Sequence, residues 1–160
     1  MRFNRKGYHY SINGGRNFFD GWNVSDPFIT MNTIKIADST RFNSWKPKEQ
    51  NFLKVLHSGK FFKLNYRFSI DYFKEKITNK GYPRAPYNET AFDDFYHTDR
   101  WSNNLNVKRK FNKGARLNMI FAYNYFRRQK NTFYTDLTTL QSNVSENASD
   151  QDTTLFDLFM

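Results

Sequence analysis

Hydrophobic and polar residues alternate with a period of two along several stretches of the chain, most cleanly in "KLNYRFSIDYF", Lys63 to Phe73. Leu64, Tyr66, Phe68, Ile70 and Tyr72 share one parity; Lys63, Asn65, Arg67, Ser69 and Asp71 share the other. Successive side chains of a β-strand point to opposite faces, so this stretch predicts a strand with one apolar and one polar face. A helix would scatter the same residues around its circumference. A later stretch, "ARLNMIFAYNYF", repeats the pattern, with Leu117, Met119, Phe121, Tyr123 and Tyr125 alternating with Arg116, Asn118, Ile120, Ala122 and Asn124. Ile120 and Phe126 break the polar parity, and Asn103 and Arg109 break the apolar one. Near the start, "YHYSIN" sets Tyr8, Tyr10 and Ile12 against His9, Ser11 and Asn13.

Punctuated by turn residues, these runs predict five main strands, at about 3–13, 49–57, 61–73, 100–111 and 115–127. Tight turns are expected at His57, Ser58, Gly59 and Lys60 and at Asn112, Lys113 and Gly114. Long connections fill about 14–48, 74–99 and 128–160, the first of which contains "FITMNTIKI", a weaker signal for a short strand pair. Strands of an up-and-down meander alternate in direction, so the tight turns fall at one end of the sheet and the long connections at the other. Outer-membrane barrels have that asymmetry, with short periplasmic turns and longer extracellular loops. The predicted fold class is therefore all-β: an antiparallel up-and-down meander forming a partial wall of a transmembrane β-barrel, with long loops at one end.

What covers the apolar parity decides between a second sheet, a ligand cavity and lipid. Sandwich strands usually run to 5 or 6 residues, whereas these approach the 9 to 11 residues that cross a membrane. Lipid is the expected cover for Leu64, Tyr66, Phe68, Ile70, Tyr72, Leu117, Met119, Phe121, Tyr123 and Tyr125. Tyr72, Trp101, Tyr123 and Tyr125 gather toward the long-loop end, as an interfacial girdle would. On the other parity, Lys63, Arg67, Arg116, Asn118 and Asn124 would line a wet lumen. Among the acids, only Asp71 is expected well inside a strand.

Composition changes the picture in three ways. The 160 residues suffice for one domain, and the aromatic content of 19%, with 18 Phe and 10 Tyr, is too high for a disordered tail. With 25 Lys and Arg against 15 Asp and Glu, the formal charge is +10, which opens an alternative: a soluble, basic all-β nucleic-acid-binding domain. In Lys63 to Phe73, however, cations and rings lie on opposite faces, and no nucleic-acid partner is expected. Cysteine is absent, so thiolate chemistry and disulfides are excluded. No secretory leader follows the initial Met1, and no run of about 18 apolar residues occurs, which argues against a membrane helix and says nothing against a barrel.

No enzyme signature is present, and no cofactor is expected. Asp93, Asp94, His97 and Asp99 in "FDDFYHTD" have the ligand types for a divalent cation, but neither EF-hand nor HExxH spacing, and a charged extracellular loop is the preferred reading; no metal site is assigned. "GYPRAPYNE" puts Tyr82, Arg84 and Tyr87 on a loop stiffened by Pro83 and Pro86, either a ligand grip or a structural feature. The candidate ligand-binding set is Arg67, Asp71, Tyr82, Arg84, Tyr87 and His97. Lys108, Arg109, Lys110, Lys113 and Arg116 crowd one tight turn, either as a basic lining that favours anionic ligands or as solvated charge.

In "SINGGRNFFDGWNVSDPF", "WKPKEQ", "NKGYPRAPYNETAFDDFYHTDRWSN" and "FNKGARLNMIFAYNYF" the chain resembles the β-barrel of TonB-dependent outer-membrane receptors. The likeness is one of texture and segment order across most of the chain. It implies a plugged barrel of about 22 strands in the outer membrane of a Gram-negative cell. Such a receptor takes up a scarce small-molecule or glycan ligand, of ferric siderophore, cobalamin or glycan type, driven by the TonB energy-coupling complex. Neither a plug domain nor an energy-coupling box is recognisable, and five strands cannot close a barrel whose known minimum is 8. The chain, 1–160, therefore reads as a fragment of the barrel domain that needs outer-membrane lipid, the remaining wall and the plug as partners. On this reading Met1 is internal and "TTLFDLFM" is a truncation within a loop.

Overall fold

A computed structural model of the chain describes residues 1–23, 39–112, 114–145 and 149–159. The strand pair expected in "FITMNTIKI" and the turn residue Lys113 lie outside the described residues. Eight strands form a single sheet: β1 (Arg2–Arg5), β2 (Tyr8–Phe19), β3 (Lys48–Phe61), β4 (Leu64–Lys80), β5 (Thr90–Lys110), β6 (Arg116–Asp136), β7 (Ser142–Val144) and β8 (Ser149–Phe159). All neighbours are antiparallel and follow chain order; β7 and β8 both pair with β6, at Phe133–Thr135 and Ile120–Lys130. The sheet is thus seven positions across. It is an all-β meander and it does not close on itself.

The short connections are Lys6–Gly7, Phe62–Lys63 and residues 111–115, and all three lie at one end. Both residues of the first have positive φ, 48° and 82°, the geometry of the hairpin turns whose twist matches that of the strands. The described residues of the β2–β3 connection, 20–23 and 39–47, lie at the opposite end with 81–89 and 137–141. The sorting of turns expected from the sequence is present. The bounds differ in several places. Residues 74–80 and 90–99, expected as loop, are strand, as are 128–136, so β5 and β6 each reach 21 residues. At about 3.3 Å per residue they run about 66 Å, far more than a membrane requires. The expected last loop also holds β7 and β8, so "TTLFDLFM" is strand up to Phe159, made so by pairing with β6. The first expected strand is a hairpin, β1 and β2, whose second arm runs on through Gly14 and Gly15 to Phe19.

The turn expected at His57–Lys60 is displaced to Phe62–Lys63. Gly59 reads as a turn residue in isolation. In the sheet it lies opposite Tyr66 with the Tyr8 ring laid over it, where a Cβ would collide with that ring. The glycine makes room for an aromatic instead of turning the chain.

Among the described residues Ala91 is the only buried hydrophobic, accompanied by buried Arg41, Asp93, Thr132 and Thr135. All five lie at the long-connection end. Among the described residues the rest of the sheet has no second layer and is held by ladder hydrogen bonds and cross-strand pairs, each worth about 0.2–1 kcal/mol.

Candidate functional site

Register carries the alternation of single strands across the whole sheet, because directly opposed residues share a face. Leu64 lies opposite Phe61 and Arg109, and Arg109 opposite Leu117; Tyr66, Val107 and Met119 form the next row; Phe68, His57, Leu105 and Phe121 the next. Ile70 then aligns with Val55, Asn103 and Tyr123, and Tyr72 with Leu53, Trp101 and Tyr125. Tyr10 and Ile12 of β2 extend the face through His57 and Val55. All ten residues expected to face lipid occupy this one face. From Leu64 to Tyr72 it spans nine residues, about 26 Å of strand.

An aromatic row closes this band above and a second aromatic group lies inside it. At its upper edge Tyr72 and Trp101 pack with ring centroids 4.5 Å apart, and Tyr125 sits opposite Trp101 in the same row. In the Phe68 and Tyr66 rows, toward β2, His57 stacks on Tyr10 at 4.3 Å and meets Tyr66 edge-on at 5.3 Å, with Tyr8 alongside. Sequence reasoning placed His57 in a turn and so missed this second group; the strand parity of Tyr8 and Tyr10 was its visible signal. Arg109 breaks the apolar parity beside the short turn, where its guanidinium lies 4.7 Å from the Phe111 ring. Above the Tyr72 row the same face turns polar: Lys74, Asp99 and Arg127 form one row and Lys76, His97 and Gln129 the next.

The opposite face holds Arg67 and Asp71. Asp71 accepts an ion pair from Lys54 at 2.9 Å and also lies opposite Ser102, while Arg67 lies between Ser58 and Asn106. Two adjoining open hollows, of about 410 and 280 Å³, share Lys54, Leu56 and Arg67. Asn118 and Asn124 share this polar face, and Arg116 ends it opposite Lys110; Lys63 belongs to the turn. Phe126, an exception by parity, falls in a row with Arg100, Phe73 and Phe52, and Arg100 lies 5.2 Å over the Phe73 ring. At the short-turn end Lys108, Arg109, Lys110 and Arg116 line a hollow of about 510 Å³.

The remaining candidates sit at the long-connection end, and the six do not converge. Tyr82, Arg84 and Tyr87 belong to the β4–β5 connection. Arg84 lies 4.9 Å over the Phe92 ring; Tyr82 packs on Phe42 at 5.7 Å; Tyr87 is 81% exposed with no ring partner. His97 lies on the apolar-parity face, two rows beyond Tyr72 and across the sheet from Arg67 and Asp71. Burial first, then the charges of Lys76 and Lys74, push its imidazole below the ordinary 6.5 against a smaller pull from Asp99. The neutral ring predominates at pH 7.

The acidic cluster is strand, and its period of two divides it. Asp93, His97 and Asp99 point to one face, Asp94 to the other. Asp94 is taken by Lys130 at 3.2 Å and by the Thr132 hydroxyl, which donates at 2.7 Å. Asp93 holds Arg41 of the 3₁₀ turn Ser39–Phe42: Nη2 donates to Oδ2 at 2.9 Å and Nη1 to Oδ1. The Thr135 hydroxyl donates to Asp93 at 2.9 Å, the Gly81 amide donates at 3.2 Å, and Arg41 also donates to the Gly81 carbonyl at 3.2 Å. Among the described residues no group of three His, Cys, Asp or Glu is arranged to hold a metal ion. The expectation that only Asp71 lies well inside a strand fails with the longer strands, since Glu75, Asp94 and Asp99 do so too.

The Arg41 latch escaped sequence reasoning because its partner lies 52 residues away and neither residue carries a local signature. It fixes the end of the β2–β3 connection, where Lys46 lies 5.7 Å over the Tyr82 ring with its pKa lowered by burial. Trp22 and Trp45 continue the β2–β3 register, exchanging backbone hydrogen bonds of 3.0 and 2.9 Å and stacking at 5.0 Å. Compared with protein-family models, with curated proteins and with solved structures, the chain gives no match.

Proposed function

We propose that this sheet is part of the wall of an outer-membrane receptor barrel that takes up a scarce ligand with TonB-supplied energy. The observation that carries the membrane part is the apolar band below the Tyr72–Trp101–Tyr125 row, over which no layer of the described residues packs. Fully burying one large apolar side chain is worth about 1.5–3 kcal/mol. Ten such side chains, largely covered by their neighbours in the sheet, still leave on the order of 5 kcal/mol of transfer free energy, the lower end of the stability of an ordinary domain. A face of that size calls for an apolar cover. Lipid fits its height, since nine residues match the 9 to 11 of a tilted membrane strand, and fits the ring row at its upper border.

Uptake and TonB coupling rest on the sequence resemblance alone. The open edges at β1 and at β7 and β8 are where further wall would pair, and Arg67, Asp71 and Lys54 would face the interior. Arg84, Tyr82 and Tyr87, at the loop end, would meet an incoming ligand. A nucleic-acid surface needs cations and rings together; here the band rings and the Arg67, Lys54 and Lys108 cations occupy opposite faces.

The test is refolding of the full chain into phosphatidylcholine vesicles, with Trp22→Phe and Trp45→Phe leaving Trp101 as sole indole. Bromine placed near the lipid headgroup should quench Trp101 more strongly than bromine at the chain ends. Monodisperse protein that unfolds cooperatively in detergent-free buffer, without partition, would sink the reading. Retention on DNA that falls steeply with salt would replace it with the nucleic-acid one.

A further inference from the structure

The two rows just beyond the Tyr72–Trp101–Tyr125 line are charged on the same face that the band makes apolar. Lys74 and Lys76 are adjacent on this face of β4, and both are exposed. No ion pair engages either among the described residues, although Asp99 stands opposite Lys74. Glu49, in the Lys76 row, is held by Arg16 at 2.9 Å, and Asp99 accepts the Tyr72 hydroxyl at 3.4 Å. Glu49 and Asp99 thus have other partners, and the lysines' positive potential reaches as far as His97. Beside Lys76 the surface dips into a hollow of about 340 Å³, lined by Asp93, Phe95, His97, Asn131, Phe133 and Ser142, with the Asp93 carboxylate already paired to Arg41 and with Phe95 and Phe133 meeting edge-on at 5.5 Å. The Lys76 ammonium lies 5.4 Å from the Phe95 ring.

We propose that Lys74 and Lys76 seat the phosphate of an anionic membrane-lipid headgroup, whose polar remainder occupies the hollow formed by His97, Asn131, Phe95 and Phe133. This rests on the membrane-wall reading and names the lipid that the wall selects. Position argues for a lipid: an ammonium one or two rows past an interfacial ring row lies at headgroup depth, where hydrocarbon ends and phosphate begins. Charge argues for an anionic one, because two adjacent unpaired cations repel each other until a phosphate lies between them. The hollow offers a wet amide and imidazole beside ring faces, which suits a polyol or sugar headgroup more than a bare ion.

The test compares partition of the full chain into vesicles of phosphatidylcholine alone and of phosphatidylcholine with phosphatidylglycerol, for the native chain, Lys74→Gln/Lys76→Gln and Lys108→Gln/Lys110→Gln. The last pair removes the same charge from the opposite face. A surface lysine is worth roughly fivefold in binding to an anionic membrane. The expected result is that the first double variant loses roughly 25-fold of the preference for phosphatidylglycerol while still entering neutral vesicles, and that the control loses less than about twofold. Equal losses in both variants would mean general attraction to +10 and overturn the site. Loss of the preference in inorganic phosphate at matched ionic strength would make it a free-anion site and overturn the lipid assignment. Failure of every form to enter neutral vesicles would sink the wall reading first, and this proposal with it.

Discussion

Two stretches of the same strands, below and above the Tyr72 row, are built on opposite principles. Below it, β4, β5 and β6 present Leu64 to Tyr72 and their partners as a face that is apolar except at Asn103 and Arg109, and on which none of the described residues outside the sheet packs. Above it, the same strands carry mixed residues, and the chain covers itself. Arg41 reaches onto Asp93, β7 pairs with the end of β6, and all five buried residues lie there. The covered end is closed mainly by polar bonds; the uncovered end is apolar. A sheet that satisfies its own polar groups but leaves its apolar face bare is matched to an apolar medium at that level and to water above it.

The largest expected effect breaks the lower region. Phe121 sits in the middle row with Phe68 and Leu105, and Phe121→Arg should weaken vesicle partition by about 2–4 kcal/mol, the range for Arg at the bilayer midplane. Asn104→Arg, one residue along on the polar face, should cost less than about 1 kcal/mol. Equal penalties for the two would erase the distinction between faces.

A comparable effect belongs to the upper region. Arg41 and Asp93 have side chains only 3% and 6% exposed, so removing one strands the other without its charge partner. Asp93→Ala should destabilise this end by about 3–5 kcal/mol, read as faster proteolysis within residues 39–47, with vesicle partition unchanged. Replacing both residues by apolar ones of similar size should restore much of the loss. If Asp93→Ala also abolished partition, the two regions would be one cooperative unit.

The smallest effect is at the β6–β7 tip. Asp136 accepts hydrogen bonds from the Thr138 hydroxyl at 2.6 Å, the Thr138 amide at 2.8 Å and the Thr139 amide at 3.1 Å, which hold its carboxyl below the usual range. A carboxyl with a depressed folded pKa stabilises the tip fully above the ordinary Asp value near 4 and loses that contribution as pH falls through the lower folded value. Exchange protection of the Thr138 and Thr139 amides should therefore drop in that acid window and stay flat above it. Protection that persists after Asp136→Asn at neutral pH would assign the tip to backbone geometry instead.

Much of the lower region was legible because its information is local. Alternation, strict in Lys63 to Phe73 and broken only at Ile120 and Ala122 in Arg116 to Tyr125, fixes which residues share a face, and register could only join those faces into one. The upper region was not legible, for the same reason in reverse. Its strands carry Asp93, Asp94 and Asp99 and the lysines of β4, which read as loop on composition, and only pairing with a neighbour makes them strand. Gly59 shows the same limit on a single residue. A glycine after serine signals a turn until an aromatic from another strand is seen to lie on it.

The sequence by itself determined the strand period, the polarity of each face, the sorting of turns and the basic excess, since each depends on residues a few positions apart. Only the tertiary structure decided where strands end, that Arg41 meets Asp93, that His57 joins the tyrosines, and that the candidate ligand residues lie on different faces. Those facts depend on pairs tens of residues apart, whose meeting is set by register and no local pattern encodes it.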